Sequence, residues 1–187
     1  MAADLIVGID VAGSRRGFHL AMLEPGCQMI KSLEHAKDVQ EAVRLLVDLP
    51  SRLLIAMDCP PRSVLSGART RLAERCLCKM GYSVQWTRRH PMRPAEWMVN
   101  GERLWQSLRA TFPHSTLIET FPTVAARNLK NSEIVLPLAL LPDRQKADWK
   151  DYLDAAICAE VGNRFLHGKA EFVPNGQELD ELGPIYY

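Results

Sequence analysis

From Leu5 to Val11 the chain reads Leu-Ile-Val-Gly-Ile-Asp-Val, apolar at every position but a glycine and one acid. A run that is apolar on both alternating faces predicts a strand covered on both sides. Gly13-Ser-Arg-Arg-Gly17 has turn chemistry, Phe18 to Leu23 is a second apolar run, and Glu24-Pro25-Gly26 is a second turn. Cys27 to Leu33 reads as a third strand. Connections this short join antiparallel neighbours, so the first third of the chain predicts a meander. From Ala36 to Leu49 the period changes. Val39, Ala42, Val43, Leu46 and Val47 recur at three and four, a helical stripe that Pro50-Ser51 ends. Arg52 to Asp58 is another buried strand, stopped by Cys59-Pro60-Pro61. A helix between two buried strands predicts a right-handed parallel crossover.

The second half reads less regularly. Ser66 to Met80 predicts a helix closed by Gly81. Tyr82 to Ala95 has no period and predicts a long surface loop. Asn100 to Thr111 predicts a helix with Asn100 as its cap, and Ser115 to Thr120 a short strand ended by Phe121-Pro122. A helix from Thr123 to Leu129, a proline-marked linker and a long helix from Asp148 to Leu166 follow, with a short strand around Phe172 and Val173. The expected fold is one α/β domain over residues 1–187. Its mixed five-stranded sheet would have three antiparallel strands, then parallel strands delivered through flanking helices. That layout resembles the ribonuclease H-like fold.

Composition agrees with one globular domain: 187 residues, 47% hydrophobic and 24% charged. These values exclude disorder and coiled coil. The longest apolar run, Ile134 to Leu141, contains Pro137 and falls far short of the ~20 residues of a membrane span. No basic stretch precedes the first strand, so no secretory signal is read there. Five cysteines without a CxxC pair suit free thiols in a reducing, cytoplasmic setting.

The net charge of +1 hides a segregation. Residues 62–93 hold eight basic side chains against one acid, Glu74, while the tail from 171 to 187 holds four acids and no base. Within the basic loop 82–95, Arg88, Arg89, His90 and Arg93 lie near Tyr82, Trp86 and Trp97. Cations among aromatics suit backbone phosphates and stacked bases, so Arg88, Arg89 and Arg93 are candidate nucleic-acid contacts. The competing reading is a loop with packed tryptophans and solvated arginines.

Three acids interrupt or end buried strands: Asp10, Asp58 and Glu119. A carboxylate there has to be hydrogen-bonded, paired or metal-bound. Ligands of open sheets gather beyond the carboxyl ends of the strands. Asp154 is the fourth candidate, inside an alanine-rich helix whose Ala155, Ala156 and Ala159 would let it lie close to the sheet. Asp151 has cap spacing from Asp148, which favours a structural role for it, although both helix acids share one face. Convergent carboxylates without clustered His or Cys suit magnesium or manganese. Two such ions serve phosphodiester hydrolysis.

Four segments carry a family resemblance: Val7 to Gly13 with the following Arg-Gly turn, Ile55 to Pro60, Ile118 to Pro122 and Lys150 to Ala156. In this order they resemble the domain-of-unknown-function 429 family, predicted nucleases of ribonuclease H-like fold. The resemblance implies that Asp10, Asp58, Glu119 and Asp154 occupy the positions of the family's acids. The expectation is a magnesium- or manganese-dependent nuclease acting on nucleic acid. Gly8 to Ser14 also resembles the first phosphate loop of actin-like ATPases and sugar kinases, so a nucleotide-binding phosphotransferase is the alternative, and an inactive binding module a third. Cys59 is the one thiol expected near the site.

Overall fold

Covering a buried strand on both faces takes two helical layers, and these are the layers the chain builds. The computed structural model describes residues 3–50, 52–67, 70–89, 92–129, 148–175 and 180–187. The central strand β1 (Leu5–Val11) is buried along its whole length, as is its antiparallel neighbour β2 (Phe18–Leu23). Gly17 lets the β1–β2 turn close: its φ is 67°, and a Cβ there would stand 2.2 Å from the Ala36 carbonyl oxygen. The edge strand β3 (Ser32–Ala36) follows, then helix α1 (Val39–Val47), capped by the Asp38 carboxylate on the Glu41 amide. Strand β4 (Leu53–Asp58) runs parallel to β1, as the helical crossover predicts.

Beyond β4 come a two-residue strand β5 (Val64–Leu65), helix α2 (Leu72–Lys79) and a second short strand β6 (Arg88–Arg89) that pairs with β5. Helix α3 (Glu96–Thr111), strand β7 (Thr116–Thr120), helix α4 (Pro122–Asn128), helix α5 (Trp149–Leu166) and strands β8 (Phe172–Val173) and β9 (Ile185–Tyr186) complete the described residues. The main sheet has the order β3-β2-β1-β4-β7-β9-β8.

The sheet is thus mixed, as expected, but has seven strands rather than five. The tail supplies the difference: β9 joins β7 in parallel and β8 hairpins onto β9. The short strand expected around Phe172 and Val173 is β8, whereas β9, two residues long, carries no alternation to read. The third strand begins at Ser32 rather than Cys27, because the turn after β2 extends to Lys31, whose amide bonds back to Met22. Helix α2 starts six residues later than Ser66, whose amide and hydroxyl donate to Glu181 of the tail instead. Helix α3 starts at Glu96, so Asn100 is an interior residue and not a cap. The loop 82–95 contains β6. Arg69, His90, Glu178 and the proline-marked linker, including Ile134 to Leu141, lie outside the described residues. Among the described residues, no helix is long and apolar enough to cross a membrane.

Among the described residues three apolar clusters form, two on the faces of β1 and β4 and a third joining α2, α4 and the tail strands to α5. Val7, Ile9, Ile55 and Met57 pack with Leu104 and Leu108 of α3 on one face. Ile6, Leu54 and Ala56 pack with Ala155, Ala156 and Ala159 of α5 on the other. Helix α5 lies close over β1. A Cβ on Gly8 would stand 2.0 Å from the Ala155 carbonyl oxygen and 2.3 Å from the Ala159 amide nitrogen. Small residues on both partners set this approach, and it carries the first turns of α5 over the carboxyl end of β1.

Candidate metal centre

A cleft of about 450 Å³ opens at the carboxyl ends of β1, β4 and β7, and Asp10, Asp58, Glu119, Asp151 and Asp154 all line it. The four expected acids therefore meet at one place, but not on equal terms. Asp10 and Asp58 are direct partners in the parallel β1–β4 ladder and share the face that α5 covers. Glu119 is in register with Met57 instead. The two-residue side-chain period gives it the opposite face.

That register decides Glu119's chemistry. Both of its carboxylate oxygens accept from Arg71, at 2.6 Å each. Arg71 also donates to Asp180 at 2.9 Å and to the Gly183 carbonyl at 3.1 Å, and its side chain is fully buried. Burial pushes the Glu119 carboxyl up while the guanidinium pulls it down, and Arg71 itself stays charged. Glu119 is thus the anchor of a buried ion network that ties the tail to β7. Asp180 and Glu181 of the acidic tail turn back onto Arg71 and Arg62 of the basic segment, so part of the charge segregation is neutralised within the fold.

Asp10 and Asp58 have no such partner. Burial, with Asp154 adding to it, holds the Asp10 carboxyl at about 7. Asp58 lies well above the usual carboxylate range, through burial and then Asp10, Asp154 and Glu119. Asp154 is also raised by its own burial, against the pull of Lys150 and Arg16. No hydrogen bond reaches Asp58 or Asp154 from the described residues. Several carboxylates pressed together without donors favour either a proton or a cation.

Asp151 differs from its expected role. Asp148 makes no side-chain cap, so the capping box does not form. Asp151 is buried instead and lies against Arg16 from the β1–β2 turn. The helix begins at Trp149 with Asp148 at the cap position, as expected, and its close approach to β1 carries Asp151 onto the sheet end. Both helix acids consequently reach the cleft.

His19 is the candidate site residue that the sequence reading passed over. It is the ladder partner of Asp10 on β2, fully buried, with Nδ1 3.8 Å from an oxygen of Asp10 and 3.8 Å from one of Asp151. Neither ring nitrogen has a hydrogen-bond partner. Burial first, and His35 beside it, push its pKa down to about 4, so the ring is neutral near pH 7. The ligand atoms of Asp10, His19 and Asp151 lie within 4.8 Å of one another, and this buried group can hold a metal ion. A titratable residue inside the apolar run Phe18 to Leu23 was the available signal.

The cations lining the cleft are Arg16 and Lys150. Arg88 and Arg89 are exposed and line a separate cavity of about 320 Å³ with Trp86 and Met92, while Arg93 is exposed outside both. In the glycine turn, the amides of Ala12, Arg16 and Gly17 are bonded within the turn, which uses donors that a phosphate cradle would need. Cys59 does line the cleft, and burial raises its thiol well above the usual range, so it stays protonated.

No family model, curated protein or solved structure matches this chain.

Proposed function

We propose that this protein is a divalent-metal-dependent nuclease of ribonuclease H-like architecture that hydrolyses phosphodiester bonds in the β1–β4–α5 cleft. One observation carries the reading: Asp10 and Asp58 stand side by side in the sheet, with Asp154 contributing from α5, and none is neutralised by a donor. Hard cations, magnesium or manganese, fit such an oxygen set. The strand order supports the fold assignment, since β3-β2-β1 is antiparallel and β1-β4-β7 parallel.

In this reading Asp10, Asp58 and Asp154 hold the metal. A bound dication would lower the pKa of water and stabilise the leaving oxygen. Arg16 and Lys150, on the cleft wall, hold the phosphate oxygens. Glu119 acts as a positioning residue: locked onto Arg71, it fixes the end of β7 beside Asp58. Arg88, Arg89 and Arg93 serve as more distant contacts to the nucleic-acid backbone.

The test is cleavage of single-stranded, double-stranded and hybrid substrates with magnesium or manganese, for the parent and Asp58→Asn. The expected result is cleavage that the substitution lowers by about 100-fold or more, some 2.7 kcal/mol of transition-state stabilisation. Absence of cleavage on all substrates, or full activity in Asp58→Asn, overturns it. ATP-induced stabilisation without cleavage favours the phosphotransferase alternative.

A further inference from the structure

On the β2 side of Asp10 the structure holds a group with different chemistry from the acid cluster. His19 is a neutral nitrogen donor, fully buried, with both ring nitrogens unpartnered and Nδ1 directed between two carboxylates at 3.8 Å each. A buried polar group without a hydrogen bond costs about 1–3 kcal/mol unless something else satisfies it. The ring is locked in place: Tyr152 of α5 stands edge-on to it at 4.7 Å and His35 packs against it at 5.0 Å. Arg16 comes in from the exposed β1–β2 turn and sets its guanidinium on Asp151. Its side chain is 57% exposed while that of Asp151 is 6% exposed, so the cation can leave and the carboxylate cannot.

We propose that Asp10, His19 and Asp151 form a binding site for a first-row transition dication such as zinc or cobalt, and that Arg16 is the displaceable cation that occupies it in the metal-free protein. One imidazole nitrogen and two carboxylate oxygens are the donors such ions accept, whereas magnesium prefers an all-oxygen shell and retains its waters. Metal–ligand bonds of about 2.0–2.2 Å place neighbouring donor atoms roughly 3 Å apart. His19 therefore has to approach each carboxylate by less than about 1 Å. The three residues come from β1, β2 and the first turn of α5, so the site forms only where the helix lies close over Gly8. It goes beyond the nuclease reading: Asp10 is common to both, but Asp58 and Asp154 take no part here and no cleavage is required.

The test is isothermal titration of the full chain with zinc, cobalt and magnesium, together with the visible absorption of the cobalt complex. The variants are His19→Gln and Arg16→Ala. The site requires that the parent bind one zinc or cobalt ion, with a spectrum showing nitrogen and oxygen ligation. His19→Gln should lose at least about tenfold in cobalt affinity while magnesium binding changes less than about twofold. Arg16→Ala should bind cobalt more tightly than the parent. Because His19 is buried, its substitution is paired with thermal unfolding, and the parent is read independently by the paramagnetic shift that cobalt imposes on the His19 ring resonances. An unshifted His19 ring, a sulfur-to-cobalt charge-transfer band that assigns the ion to thiols, or weaker cobalt binding in Arg16→Ala each overturns the proposal. A cobalt-shifted His19 ring in a protein that also cleaves nucleic acid upholds both readings, whereas a cobalt-shifted His19 ring without any nuclease activity upholds this one alone.

Discussion

Replacing Asp10 by asparagine isolates the cost of a carboxylate buried without a donor. The folded protein holds this carboxyl at about 7, against an ordinary value of 3.8, chiefly through burial. Between those two values the folded chain binds a proton that the unfolded chain releases. The contribution of Asp10 to stability in metal-free buffer is therefore undiminished below about pH 4 and falls as pH rises to about 7. A difference of roughly three pH units, at 1.36 kcal/mol each, is about 4 kcal/mol once the group is ionised. Asparagine keeps the shape and removes the charge, but brings an amide with few partners, at about 1–3 kcal/mol. The expected net gain for Asp10→Asn at pH 8 is about 1–3 kcal/mol, shrinking towards pH 4.5. His19 works in the opposite direction. Its pKa of about 4 when folded makes stability rise with pH up to about 6.5. That contribution is present in both proteins, so the quantity to follow is the difference between them. Urea denaturation in EDTA at pH 4.5, 6 and 8 measures it. With manganese at about 1,000 times its Kd the parent should gain about 4.1 kcal/mol and the variant much less, reversing their order. A difference independent of pH, or a variant less stable than its parent at pH 8 in EDTA, refutes the burial argument.

Gly8→Ala would place a methyl 2.0 Å from the Ala155 carbonyl oxygen, where neither neighbour can yield without moving α5. Thermal unfolding should show a loss of about 1–3 kcal/mol, and manganese affinity should fall as Asp151 and Asp154 withdraw from Asp10; unchanged values for both would disprove the close helix as the device that assembles the site. Neutralising Arg88, Arg89 and Arg93 together should weaken nucleic-acid binding about equally across sequences. It should also lower the slope of log affinity against log salt by up to about three for duplex DNA, while an unchanged slope would assign these arginines to solvent.

Much of the framework was legible along the chain because local pattern reports burial. The continuous apolar runs Leu5–Val11 and Arg52–Asp58 give β1 and β4, and the three-and-four stripe of Val39 to Val47 gives α1 between them. The same runs expose Asp10 and Asp58 as acids out of place, and the alanines of α5 announce a close helix. What the chain could not show is how separate strands register against each other. One step of register sends Glu119 to the face of Met57 and into the hands of Arg71, 48 residues away in sequence. The antiparallel ladder, by contrast, sets His19 directly beside Asp10. The close approach of α5 to β1 decides that Asp151 is buried against Arg16 instead of serving the helix cap. Strand β9, two residues long, has no period of its own and exists because the edge of β7 accepts it. Sequence thus specified which residues must be buried and which of them are chemically anomalous. Only the tertiary structure paired those anomalies, because pairing depends on register and helix approach, which are set by contacts far apart in the chain.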